Sequence, residues 1–154
     1  MLTEKTKRKL IDLSKLNTYI IHKIETNQNF KHRSKCGDQI LFQITKENNG
    51  KFNLKHHASG CMILLASANA LNKLCDNKSK SEILNLVQKV INTDFVDLDE
   101  IDASLKIFNA FTNTNRKDCF LLPYKSLKDS LENYKPLRGG KLLDENLFTL
   151  INWI

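Results

Sequence analysis

The feature that most constrains this chain is a change of apolar period around Asn48-Asn49-Gly50. Before it, Ile40, Phe42 and Ile44 recur at every second residue, and after it Phe52, Leu54 and His56 do the same. Alternation of this kind puts one set of side chains on one face of a strand. Asn and Gly tolerate the positive φ that a tight reversal demands, so the segment reads as a β-hairpin. On either side the period is helical. Leu10, Leu13, Leu16, Ile20 and Ile24 mark an amphipathic helix over residues 3–24. Residues 61–75 are almost all apolar or small, which predicts a buried helix. Ser79 with Glu82 forms a capping-box signature for a helix at about 80–92. Leu98, Ile101, Leu105 and Phe108 mark another helix, and Leu122, Leu127 and Leu131 a further one from about Cys119 to Tyr134. Pro136 and Gly139-Gly140 break the pattern, and Asp144 caps a short amphipathic segment with Leu147, Leu150, Ile151 and Ile154 on one face. The expected fold class is α+β, a small antiparallel sheet of two or three strands packed against several helices. Residues 1–135 form one domain and 136–154 a C-terminal extension.

The hairpin gives the cysteines their meaning. Cys36 precedes the first strand in Cys36-Gly37-Asp38, and Cys61 follows the second in Ser59-Gly60-Cys61, so both belong to the open end of one strand pair. Cys61 and Cys119 both fall where helices begin, and there the helix dipole and unpaired N–H groups lower a thiol pKa. Arg116, three residues before Cys119, adds a cation. Three thiolates and the Asp38 carboxylate make a tetrahedral set for zinc or an iron–sulfur centre. Such a set carries −4, so a divalent ion leaves −2, and an exposed site flanked by Lys35, Arg116 and Lys117 is expected. An oxygen among sulfurs binds a borderline metal less tightly, which makes Asp38 a ligand that can leave. Cys75, at the end of the buried helix, reads as a core thiol. His56 and His57 point to opposite faces, so at most one of them can approach the site.

Other classes fit less well. The formal charge of +7 is spread along the chain without interleaved aromatics, which argues against a nucleic-acid surface. No apolar run approaches the roughly 18 residues of a membrane span. With 41% hydrophobic and 27% charged residues the composition is that of a soluble globular protein, and the expected location is the cytosol. A basic binding module with incidental cysteines stays open as a reading from another class.

Together these segments resemble the SufU/IscU family of iron–sulfur cluster assembly proteins, which share the fold of the NifU N-terminal domain. The resemblance is carried by Cys36-Gly37-Asp38, by Ser59-Gly60-Cys61-Met62-Ile63 with Ala66-Ser67-Ala68-Asn69, and by Arg116-x-x-Cys119 leading into Leu122-x-Tyr124-Lys125-x-Leu127. It covers about residues 5–135. Asp118 before the third cysteine, Arg116, and the long stretch between Cys61 and Cys119 with its extra segment at about 95–111 are closer to SufU than to IscU. The resemblance implies that Cys36, Asp38, Cys61 and Cys119 bind Zn2+. It implies that Cys36 accepts persulfide sulfur from a pyridoxal-phosphate cysteine desulfurase of the SufS kind, with Arg116 steadying the negative sulfur. Downstream iron–sulfur assembly proteins would then receive the product. In the IscU-like alternative, Cys36, Cys61 and Cys119 hold iron or a nascent [2Fe–2S] cluster. Pro123 departs from the family pattern and is expected in the first helical turn, where its missing N–H costs nothing.

Overall fold

In a computed structural model of the chain, the structure describes residues 3–17, 19, 32–33, 37–92, 97–111 and 116–134. The elements are α1 (Glu4–Ser14), β1 (His32–Arg33), β2 (Gln39–Lys46), β3 (Lys51–Ser59), α2 (Met62–Cys75), β4 (Lys78–Ser79), α3 (Lys80–Ile91) and α4 (Lys117–Glu132). Two 3-10 segments, Leu98–Glu100 and Ala103–Phe111, lie between α3 and α4. The architecture is the expected α+β one. The hairpin β2–β3 forms the body of an antiparallel sheet of order β1-β2-β3-β4, and each edge strand has only two residues.

The hairpin reverses at Glu47–Gly50, with Gly50 at φ +81°. Its register pairs Lys46 with Phe52, Ile44 with Leu54, Phe42 with His56 and Ile40 with Ala58. Directly opposed residues share a face, so Ile40, Phe42, Ile44, Phe52, Leu54 and His56 line one buried surface. Against that surface lie α2 and α4, while α1 packs on α2 and α3 on α4.

Helix α2 is the centre of the molecule, and its few polar side chains are its links to the neighbours. Ser67, Asn69 and Asn72 are all buried. Ser67 Oγ donates to the Phe120 carbonyl of α4 at 2.7 Å. Asn69 Nδ2 donates to the Leu13 and Leu16 carbonyls at 2.7 and 3.2 Å. Asn72 Nδ2 donates to the Leu54 carbonyl of β3 at 2.8 Å, and its Oδ1 faces His56 Nδ1, also at 2.8 Å. The alanines between them, Ala66, Ala68 and Ala70, are buried and let the backbones approach.

Several boundaries differ from the sequence expectation, each for a visible reason. Helix α1 ends at Ser14 rather than running to residue 24. The hydroxyl of Ser14 turns back to the Ile11 carbonyl at 2.7 Å, and Asn69 captures the carbonyls that end the helix. By Tyr19 the chain lies beside β3, whose His56 N–H donates to the Tyr19 carbonyl at 2.8 Å. Ile20 and Ile24 lie outside the described residues. The helix expected from Leu98 to Phe108 is two 3-10 segments. Asp102 interrupts it by accepting from the Ser104 backbone N–H and hydroxyl at 2.9 and 2.7 Å. Leu98 N–H is drawn to Asn109 Oδ1 at 2.8 Å. Helix α4 starts at Lys117, so Pro123 is its seventh residue and stands in the second turn, not the first. The Ser79–Glu82 capping box at the start of α3 is as expected. The C-terminal extension from residue 136, with the segment capped by Asp144, lies outside the described residues. Among the described residues, no helix is long and apolar enough to cross a membrane.

Candidate metal centre

Three chain reversals converge at the open end of the hairpin. Gln39 pairs with Ser59, so the residues just outside the ladder, Asp38 and Gly60, come together. Gly60 has φ +154°, and a Cβ there would overlap the Asp38 carboxylate and stand 3.0 Å from the Asp38 Cα. Only glycine allows this approach. The next residue, Cys61, is the N-cap of α2, with its thiol turned toward the same carboxylate. Cys119 is the third residue of α4 and joins them from a third element.

The ligand atoms of Asp38, Cys61 and Cys119 all lie within 4.8 Å of one another. Asp38 Oδ1 accepts the Cys61 backbone N–H at 3.0 Å, and Oδ2 accepts its thiol at 3.4 Å. Around a tetrahedral zinc with bonds of about 2.3 Å to sulfur and about 2.1 Å to oxygen, such donors stand roughly 3.6 Å apart. The spacing of Asp38 and Cys61 is therefore already close to that of a ligand pair. The donor chemistry fits as well, since thiolate and carboxylate together suit zinc or iron.

Burial is greater than the sequence reading expected. Asp38 is 2% exposed and Cys119 is fully buried, while Cys61 is half-buried. Among the described residues, Cys61 is thus the part of the cluster that solvent reaches. The position of Cys119 at a helix start does not lower its pKa in the metal-free protein. Burial pushes the thiol up, and hydrogen bonding to Asp38 and Cys61, with their charges, pushes it further. A carboxylate beside a buried thiol disfavours a second negative charge. A divalent cation reverses that balance, because it deprotonates a coordinating thiol outright.

The remaining candidates separate clearly. Cys36 and Lys35 lie outside the described residues. Arg116 is the exposed N-cap of α4. Cys75 is buried away from the cluster, and burial raises its thiol to about 12, as befits a core cysteine. His56 is buried on the α2 face of β3 and engages Asn72, whereas His57, on the opposite face, is half-buried. Burial lowers the pKa of both. The sequence reading used Ser67 and Asn69 only as part of the motif that carries the resemblance, assigned them no structural role, and passed over Asn72. The signal for them was present, since uncharged polar residues fall on the otherwise apolar face of a helix rich in Leu and Ala.

Comparisons with known proteins identify the family and the fold. The profile of the NifU-like N terminal domain matches residues 17–139. An uncharacterized protein of Borreliella burgdorferi is 84% identical over 138 residues, covering 90% of this chain and 97% of that protein. The chain is similar in structure to a Fervidobacterium islandicum protein described as a candidate iron–sulfur cluster assembly scaffold for the SUF system. The TM-score is 0.64 and the identity 24%, over 82% of this chain and 93% of that one. It is also similar to the N-terminal part of a nitrogen-fixing NifU-like protein of Brucella abortus, with a TM-score of 0.59 and 14% identity, over 79% and 88% of the two chains. The chain therefore belongs to the NifU-like N-terminal domain family.

Proposed function

We propose that this protein serves iron–sulfur cluster biogenesis as a zinc-binding sulfur acceptor for a pyridoxal-phosphate cysteine desulfurase. The observation that carries the reading is the convergence of Asp38, Cys61 and Cys119 within 4.8 Å at the end of the hairpin. Cys36, two residues before Asp38 in sequence, completes the ligand set. When bound, zinc keeps the thiols deprotonated at neutral pH, which offsets the upward push that burial gives Cys119.

The chain's own residues then divide the work. Cys61 and Cys119 stay as anchors at the starts of α2 and α4. Asp38 would be the exchangeable ligand, because one of its oxygens holds the Cys61 N–H and that bond does not depend on a metal. The thiolate of Cys36 attacks the outer sulfur of the desulfurase persulfide. The donor S–S bond breaks, the donor cysteine leaves as a thiolate, and Cys36 carries the persulfide without net oxidation. Arg116, exposed at the rim, steadies the transferred negative sulfur. The acceptor of that sulfur is a downstream cluster-assembly protein.

A second reading keeps the site and changes the cargo, with Cys36, Cys61 and Cys119 holding a nascent [2Fe–2S] cluster. The description of the Fervidobacterium protein as a scaffold favours it. One experiment distinguishes the two. Zinc content is measured on purified protein, and persulfide is then mapped by mass spectrometry after incubation with a SufS-type desulfurase and cysteine. Bound zinc with persulfide on Cys36, absent in Cys36→Ser, is the expected result. A stable visible chromophore after anaerobic reconstitution, with no persulfide on Cys36, would replace sulfur transfer by the scaffold reading.

A further inference from the structure

The start of α4 carries Cys119 and is weakly held by its own helix. Its first backbone bond runs from Phe120 N–H to the Arg116 carbonyl at 3.1 Å. The Cys119 carbonyl would ordinarily accept from the fourth residue on, but that residue is Pro123, which has no N–H. Proline at this position also crowds the same carbonyl, so the turn bearing the ligand lacks one of the bonds that a helix ordinarily gives it. What restrains it comes from outside. Ser67 Oγ, fully buried in α2, donates to the Phe120 carbonyl at 2.7 Å. Phe120 is the residue directly after Cys119. Ser67 lies six residues into the chain from Cys61, on the helix that Cys61 caps.

We infer that Ser67 is a positioning residue for the metal centre: its hydroxyl ties the Cys119 turn of α4 to the helix headed by Cys61, and so sets the distance between the two thiols. The bond joins the only two elements that supply cysteine ligands among the described residues. It links α2 to α4, whereas the buried Asn69 and Asn72 of α2 reach α1 and β3. Packing supports the turn as well, because Phe120 lies against Phe108 with ring centroids 5.1 Å apart. That contact constrains the turn loosely, whereas the hydrogen bond confines it to a narrow range of distance and angle. The consequence for metal binding rests on the zinc reading above, whereas the positioning of Cys119 does not.

The test compares Ser67→Ala with Ala68→Gly. The second variant removes a group of similar size from the adjacent buried position of α2 but touches no hydrogen bond. Outer-shell partners of metal ligands are worth about 10–100-fold in affinity. Ser67→Ala is therefore expected to weaken zinc, in competition with a chromophoric chelator, by about 10–100-fold. It should also shift the thiolate charge-transfer and d–d bands of the cobalt-substituted protein. Ala68→Gly should lower the melting temperature and leave both unchanged. Zinc affinity within about threefold of wild type in Ser67→Ala, or equal spectral changes in the two variants, would overturn the inference. A third measurement stands apart from the metal. In metal-free protein, Ser67→Ala should speed alkylation of Cys119 by about tenfold or more over wild type, as expected when a buried thiol gains access. An unchanged rate would overturn the positioning role. Absence of zinc or cobalt binding in wild type, with accelerated alkylation in the variant, would refute the zinc reading and leave the positioning role standing.

Discussion

Replacing Gly60 with alanine tests the architecture of the centre directly, because the structure provides an internal control. Gly37 and Gly60 both have positive φ, +85° and +154°, and flank the same carboxylate. Around Gly37 nothing lies within 4 Å of where a Cβ would stand, whereas at Gly60 the Cβ would run into the Asp38 carboxylate. Gly37→Ala therefore carries only the backbone penalty, about 1–2 kcal/mol for an L residue in left-handed space. Gly60→Ala carries a comparable strain of about 1–3 kcal/mol. It also displaces a buried carboxylate from the Cys61 N–H, and a hydrogen bond to a charged group contributes about 1.5–3 kcal/mol. The expected total is about 3–5 kcal/mol, an excess of roughly 2–3 kcal/mol over the control. With a urea m-value of about 2 kcal/mol/M, that excess moves the unfolding midpoint by about 1–1.5 M relative to Gly37→Ala. Zinc affinity should fall at least about tenfold in Gly60→Ala, since a ligand oxygen is moved. Equal midpoints for the two variants, or unchanged zinc affinity in Gly60→Ala, would refute the close approach of Asp38 to Gly60 as the basis of the site.

Two further outcomes follow from the buried groups. Burial lowers the His56 pKa from its ordinary 6.5, so below that pH the unfolded chain binds more protons than the folded one and stability falls as pH drops. His56→Gln should flatten the decline in melting temperature between pH 6.5 and 5, a window above the lowered carboxylates Glu82 and Asp102; an unaltered slope would assign that decline elsewhere. Cys75→Ala should leave zinc stoichiometry and affinity unchanged, as measured by metal analysis and chelator competition, because this thiol lies in the core away from the cluster. A lowered stoichiometry would place Cys75 in the metal centre.

Local pattern alone was enough to read the hairpin, its turn, the buried helix after Cys61 and the capping box at Ser79. Each depends on residues within a few positions of one another, and alternation, turn chemistry and capping act at that range. The same local logic located Asp38, Cys61 and Cys119 at strand and helix ends. It did not reach the pKa of Cys119, because the dipole of a helix start is a local effect, whereas the burial and the neighbouring Asp38 and Cys61 that outweigh it come from the residues just before β2 and α2. The end of α1 was equally out of reach. Leucine spacing continues past Ser14, but the carbonyls there are claimed by Asn69 from 53 and 56 residues away. Helix periodicity likewise ran through Leu98–Phe108, where side-chain bonds from Asp102 and Asn109 tighten the backbone into 3-10 turns. What the amino-acid order determined by itself was that Asp38, Cys61 and Cys119 stand at the ends of strands and helices. What only the tertiary structure decided was how closely those ends meet and how dry they are, since distance and desolvation arise from contacts between segments remote in the chain.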